Sequence, residues 1–245
     1  IYTEGKLTLS VFQRVLSMKR FRTAFSNTLV LGLLTGILST AIGLLFAYVD
    51  VYVKIKNKAV GKLFNVVSLL PVVSPPFVLS LSTIMLFGRS GIITRSLLHI
   101  YDSNVYGLKG IVVVQTLTFF PVCYLMLKGL LKNIDPSLEE AARIDGASTW
   151  RIFWTIIFPL MGPINATIAI LTALWAWNDF LLPLIILTDQ SNQTIPLAQY
   201  VFSSQFATNY PMAFSSYLMA MAPVLIVYIF AQKWVVGGVM RGAVK

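Results

Sequence analysis

Charge is the scarcest commodity in this 245-residue chain: only 11% of residues are Asp, Glu, Lys or Arg, against 57% hydrophobic. A soluble domain carries about twice that charged fraction, and the mean hydropathy of +0.78 points the same way, to a membrane protein. Acids are rarer still, nine against 19 Lys and Arg. There is one cysteine, Cys123, and one histidine, His99. A lone cysteine excludes a disulfide framework within the chain and a thiolate metal cluster. The net charge of +10 does not describe a nucleic-acid binder, because its cations fall between long apolar runs instead of along a polar face. No glycine loop ending in Lys-Ser or Lys-Thr is present, so ATP is not bound here in the P-loop manner. No basic flank, short apolar core and small-residue cleavage site mark a signal peptide at the start.

What is abundant is uninterrupted apolar sequence. A bilayer core about 30 Å thick needs about 20 apolar residues in a helix. Thr28 to Val49, Leu63 to Phe87, Gly110 to Leu127 and Met212 to Gln232 contain no charge, and Leu160 to Leu187 is broken only by Asp179. Five spans are therefore expected in one all-α polytopic bundle covering residues 1–245. Lys54, Lys56, Lys58 and Lys62 follow the first run, Lys128, Lys132, Arg143 and Arg151 follow the third, and Lys233, Arg241 and Lys245 close the chain. The positive-inside rule places all three groups in the cytoplasm and residue 1 outside. Lys6, Arg14, Lys19, Arg20 and Arg22 run against it. A chain whose first span lay upstream of Ile1 would fit the same pattern, and Leu9 to Phe25 is expected as an amphipathic surface segment with Val11, Val15 and Met18 toward the lipid interface.

Several spans carry local signals. Gly32, Gly36, Ser39 and Gly43 put small residues along one helical face, which lets another helix approach. Pro71, Pro75 and Pro76 break the backbone ladder at mid-membrane depth, either as a broken helix beside a translocation path or as a packing kink. Asp179 is the one acid counted inside a span. It is either a functional group or, beside Trp175 and Trp177 at the outer interface, a helix-end cap reaching water. One intramembrane acid and one external histidine make a poor proton relay and no nucleophile-base pair, which argues against a proton-coupled secondary transporter and against an intramembrane enzyme.

Between the third and fourth runs stands the most structured polar stretch. Asp135 is an N-cap with Pro136 in the first turn, Gly146 suits a left-handed stop, and Ser148 caps a second helix expected to end at Pro159. Leu138, Ala141, Ala142 and Asp145 share one face of the first helix. Glu139 and Arg143, four apart, either pair with each other or leave Glu139 for a partner.

Glu140-Ala141-Ala142, three residues, Gly146, nine residues and Ile156-Ile157-Phe158-Pro159 resemble the EAA loop of binding-protein-dependent ABC importer permeases, with Phe158 where that pattern usually has Leu. The order of spans resembles the same family over nearly the whole chain, with five of about six helices and the loop ahead of the last two. The resemblance implies the type I importer permease fold and no catalytic residues, cofactor or metal in this chain. ATP and magnesium would be bound by a cytoplasmic ATPase that docks on Leu138, Glu139, Glu140, Ala141, Ala142, Asp145, Gly146 and Pro159. It further implies a second permease, identical or different, an external substrate-binding protein, and a bacterial or archaeal inner membrane. Glu139 to Phe158, Trp177-Asn178-Asp179-Phe180-Leu181-Leu182-Pro183 and the closing residues Gly238 to Lys245 resemble the carbohydrate-uptake branch. Pro71 to Pro76 and Phe87 to Thr94 are more similar to permeases for ferric iron, thiamine, polyamines or phosphonates. A sugar or oligosaccharide is the expected cargo, with Pro71, Pro75, Pro76, Trp175, Asn178 and Asp179 as candidate path residues. The polar stretch Asp189 to Gln199 is a candidate contact for the binding protein, or a plain loop.

Overall fold

A computed structural model of the protein describes the backbone of residues 2–3, 6–7, 9–53, 57–101, 105–205 and 210–243. Of the loop cations counted above, Lys54, Lys56 and Lys245 lie outside them. Apart from a hairpin of two-residue strands, Tyr2–Thr3 against Lys6–Leu7, the described chain is helical. In order run α1 (Ser10–Ser17), α2 (Lys19–Tyr52), α3 (Lys58–Val73), α4 (Pro76–Phe87), α5 (Leu108–Leu131), α6 (Pro136–Ile144), α7 (Thr149–Ile152), α8 (Phe158–Asn178), α9 (Leu181–Ile186), α10 (Ile195–Gln205) and α11 (Tyr210–Ala243). Five segments among the described residues are long and apolar enough to span a membrane.

Helix α2 is the central post. Its 34 residues make a rod about 51 Å long, so it starts well above the apolar run that begins at Thr28. Leu31, Gly32, Thr35, Gly36, Ser39, Thr40, Gly43 and Leu44 form its buried stripe. The small residues decide how close its neighbours come. A Cβ on Gly36 would stand 2.6 Å from the Ala169 carbonyl oxygen of α8, and one on Gly43 would stand 2.7 Å from Cys123 Cβ and 2.8 Å from Tyr124 N of α5. Helix α2 is thus wedged between α5 and α8, with backbone contact on both sides that only glycine permits at these two positions.

Two core clusters sit at opposite ends of this trio. Leu44, Ala47, Tyr124, Leu127, Leu131, Ile152, Ile157 and Met161 pack at the end nearer the 132–148 connection. Leu31, Ile111, Val114, Leu182 and Ile186 pack at the other. The outer faces of α3, α4 and α11 are apolar and bare, with Leu63, Leu70, Met85 and Phe230 all more than half exposed. In a bilayer these faces meet lipid or another apolar helix.

Four features depart from the hydropathy reading. The run 63–87 is two helices, because Ser74 and Pro75 adopt extended backbone between α3 and α4; Pro71 stays inside α3. The run 160–187 likewise breaks at Asp179 and Phe180. The segment 9–25 does not lie toward lipid: α1 folds back at Met18, Val15 and Phe21 are buried, and Val11 and Met18 pack with them against Met212 and Met219 of α11. The apolar stripe of α1 has found a protein partner in place of the interface.

The fourth concerns Asp189 to Gln199, which is neither a loose loop nor free. A 3₁₀ turn over Gln190–Asn192 is capped by Asp189, α10 begins at Ile195, and the stretch is laced to the start of α2. Asn27 Nδ2 donates to the Ser191 and Gln193 carbonyls at 2.9 and 3.1 Å. Ile195 N–H donates to Thr28 Oγ1 at 2.8 Å. Arg20 donates from Nε to Gln193 Oε1 at 3.0 Å, so one of the outlying cations has a structural role.

Candidate functional site

The 132–148 connection folds as its cap residues dictate. Asp135 Oδ1 accepts the Ser137 N–H at 2.9 Å, which holds this exposed carboxyl below its ordinary range and satisfies one orphan donor of α6. The helix ends in a paired stop: Ala147 N–H donates to the Ala142 carbonyl at 2.9 Å, and Gly146 N–H to Arg143 at 3.0 Å. Gly146 sits at φ +78°. This is the Schellman arrangement, with Gly146 in the left-handed position and Ala142 against Ala147 as its apolar contact. Both alanines pack on the adjacent core cluster.

The residues expected to meet a partner are therefore divided. Ala142 turns partly inward, whereas Leu138, Glu140, Ala141 and Asp145 are exposed. Glu139 takes its bland alternative: Arg143 Nε donates to its Oε1 at 2.9 Å. Ile144, 85% exposed, and Trp150, 68% exposed, are the most prominent apolar groups of the loop. Neither was singled out from sequence, although Ile144 lies three residues after Ala141 and so one turn along the same surface. Behind α6, a cavity of about 390 Å³ is lined by Asp50, Tyr52, Lys132, Leu138, Glu139 and Ile156, among others, so the helix stands off the bundle.

Pro159 does not end the second helix. Helix α7, capped by the Ser148 hydroxyl accepting the Arg151 N–H at 3.3 Å, runs through a π turn at Phe153–Ile157 directly into α8. The wider turn is what lets the chain pass a proline: Phe158 N–H reaches back five residues to Phe153, and Pro159, in the first turn of α8, has no N–H to leave unpaired.

The candidate path residues fall into two sets. Pro71 lies in α3, which packs on α5, while Pro75 and Pro76 open α4, which packs on α9. Trp175, Asn178 and Asp179 share a face at the far end of α8. Trp175 is 41% exposed, with its ring 6.2 Å from that of Phe119 on α5. Asn178 donates to the Leu174 carbonyl at 2.8 Å. Asp179 is partnered from two helices and linked through one of them to a third: Gln115 Nε2 of α5 donates to its Oδ2 at 2.8 Å, the Leu182 N–H of α9 points at its Oδ1 from 3.4 Å, and Thr35 Oγ1 of α2 donates to Gln115 Oε1 at 3.2 Å. The carboxylate thus terminates a relay from α2 through α5 to the break before α9.

Gln115 is fully buried, so its amide depends on Asp179. Asp179→Leu is expected to cost about 1–2 kcal/mol, the penalty of an orphaned buried donor. Asp179→Asn, which keeps an oxygen acceptor, should cost well under half as much. Thermal unfolding of the detergent-purified variants distinguishes the two.

A second acid lies at the end of a helix long and apolar enough to span. Helix α2 continues past Val49, and Asp50 in its last turn forms an ion pair with Lys128 of α5 at 2.5 Å. The Tyr124 hydroxyl donates to Asp50 Oδ2 at 2.8 Å and accepts from Lys128 Nζ at 3.1 Å. This triad ties α2 to α5 at the mouth of the cavity behind α6.

Known proteins share both the sequence and the shape. A family model described as "binding-protein-dependent transport system inner membrane component" matches residues 39–241. A probable starch degradation products transport system permease of Thermoanaerobacterium thermosulfurigenes is 32% identical over 91% of this chain and 75% of its own length. A ferric transport system permease of Actinobacillus pleuropneumoniae is 33% identical over 91% of this chain but only 32% of its own. The fold is similar to that of a bacterial ABC transporter involved in import of the acidic polysaccharide alginate, with a TM-score of 0.78 at 16% identity, over 94% of this chain and 84% of that one. The chain belongs to the family of inner membrane components of binding-protein-dependent transport systems and is a multi-pass membrane protein.

Proposed function

We propose that this permease subunit imports a sugar or oligosaccharide and is driven by a cytoplasmic ATPase seated on the 135–159 loop, with the C-terminal end of α11 on the same side. The observation that carries the docking is the geometry of α6: a short helix, capped by Asp135, stopped by Gly146, and set over a cavity, with Ala141 and Ile144 bare and Leu138 half-exposed beside the cavity. Low-relief apolar surface of this kind fits a groove on a partner. Glu140 and Asp145 supply charge at its edge, while Ala142 and Pro159 set its attachment to the bundle.

The sugar reading draws on the starch-product permease, most of whose length the chain spans; the ferric permease is matched over only a third of its own. It fits the Trp175–Phe119 pair, since an exposed aromatic face beside the amide of Asn178 suits a polyhydroxylated ring with apolar faces. ATP and magnesium belong to the partner, a second permease completes the path, and an external binding protein delivers the cargo. Closure of the ATPases then pushes α6, and the push enters the bundle through α7 and α8.

The test is reconstitution in proteoliposomes with the cognate ATPase and binding protein. Hydrolysis should require the ATPase chain, and labelled malto-oligosaccharide should accumulate while ferric citrate and thiamine do not. Uptake of either of the latter, without sugar, would overturn the cargo; hydrolysis without the ATPase chain would overturn the division of labour.

A further inference from the structure

We infer that the junction of α1, α2 and α11 holds one structural phospholipid, its acyl chain in a trough along α2 and its phosphate on Arg22. The trough begins as a cavity of about 550 Å³ lined by Phe21, Phe25, Met219, Ala222, Pro223 and Ile226, among others. It continues into a second of about 240 Å³ that reaches Leu33 on α2 and Ala173 and Leu174 on α8. The two share Pro223 and Val227, so they form one furrow. From Arg22 to Leu33 it follows α2 for about 16 Å, a length suited to a fatty chain.

Two sequence features build the furrow. The reversal at Met18 lays α1 on α11 and roofs the upper end. Pro223 lies inside α11; its ring removes a helical hydrogen bond and crowds the carbonyl of Met219, which bends a helix away from its neighbour. Gly32 lines the lower part and lets α2 close on α8 there, since a Cβ on it would stand 3.2 Å from the Ala173 carbonyl oxygen.

Among the described residues, Arg22 is the only charged one lining either cavity. It is exposed, and no ion pair to it is found among the described residues. It stands where α2 emerges from its apolar run, among Arg14 and Lys19, which are likewise exposed. These are among the cations that run against the positive-inside rule. An apolar furrow ending in one guanidinium without an ion pair among the described residues, on the polar side of the apolar run that begins at Thr28, is the complement of a phospholipid: chain below, phosphate above. The guanidinium takes a phosphate through two parallel N–H donors, and the chain fills space that lipid-exposed protein does not leave empty.

The inference is independent of cargo and of ATPase docking. It is tested on the whole transporter, stripped of lipid in detergent and titrated with dioleoylphosphatidylglycerol while native mass spectrometry counts bound lipid. One lipid per copy of this chain should bind distinctly more tightly than the rest. Arg22→Gln should weaken that lipid about tenfold, the loss of a charge-assisted pair, whereas Lys19→Gln, outside the furrow, should leave it unchanged. Ala222→Phe should expel it by filling the upper cavity. A dioleoyl galactolipid, which has no phosphate, should show no such site. Equal binding by wild type and Arg22→Gln would mean annular lipid only and would overturn the proposal. So would cross-linking of Ala222→Cys to the second permease by a bifunctional thiol reagent, which would make the furrow a protein interface.

Discussion

Gly146→Val should leave the protein in the membrane and separate ATP hydrolysis from transport. Gly146 holds φ +78°, and a Cβ there would touch nothing within 4 Å. The effect of substitution is therefore conformational and not steric crowding by neighbours. A β-branched residue in the left-handed region costs about 1–2 kcal/mol. The chain relieves that cost by leaving the region, which breaks the two reverse-turn bonds to Ala142 and Arg143 and swings Ser148 away from the end of α6. The contacts of α2 with α5 and α8 do not pass through this turn, and only the small side chains of Ala142 and Ala147 leave the core cluster, so insertion should hold and thermal stability should fall little. Sugar accumulation in proteoliposomes should fall by at least about tenfold, because a redirection worth 1.4 kcal/mol already shifts an equilibrium that far. Gly146→Asn, which tolerates the left-handed region, should retain most activity. If the valine variant transports like wild type, the loop is not where the ATPase pushes.

The largest effect on stability is expected from Lys128→Met. It leaves Asp50 beside Tyr124 without its paired cation, with only the more distant charge of Lys132, in a site where the two charged side chains are 27% and 19% exposed. A fully buried pair broken this way costs 3–5 kcal/mol; partial solvent access scales it to about 2 kcal/mol. Asp50→Asn should cost less, since an amide oxygen still accepts from the tyrosine hydroxyl. Combining Asp50→Asn with Lys128→Met should recover about 1 kcal/mol relative to the lysine change alone, because no charge is then stranded. Denaturation midpoints of the four proteins in one detergent give the coupling. A sum of the single effects with no recovery would reduce the triad to a surface contact.

Much of this was legible in the residues. The five apolar runs announce a five-span bundle, because hydrocarbon accepts little else. The caps Asp135, Gly146 and Ser148 draw α6 and α7 because their chemistry is local. The small-residue face of α2 likewise predicts close approach, and Gly36 and Gly43 meet backbone as a result. The departures all turn on partners remote in sequence. Hydropathy ends the first span at Val49, yet α2 runs on through Asp50, whose hydroxyl donor Tyr124 is 74 positions away. It starts that span at Thr28, yet α2 begins at Lys19, with Arg20 anchored on Gln193 across 173 positions. The stripe on α1 is amphipathic by any count, but whether its apolar side meets lipid or α11 depends on the turn at Met18. Asp179 was ambiguous for the same reason: Gln115 and Thr35 settle its surroundings, and no spacing in the chain connects the three.

The π turn at Phe153–Ile157 has a mechanical consequence. Thr149–Asn178 is one strut of 30 residues, about 45 Å from end to end, with one compliant joint a few residues from the loop, a second at Pro163 inside α8, and Asp179 at its far tip. A strut jointed near one end multiplies motion: a tilt of a few degrees at the joint displaces the tip by several times what it displaces the base. The Gln115–Asp179 bond lies at that tip, where the travel is greatest, so it is there that a stroke too small to see at the loop would register as a hydrogen bond made or lost.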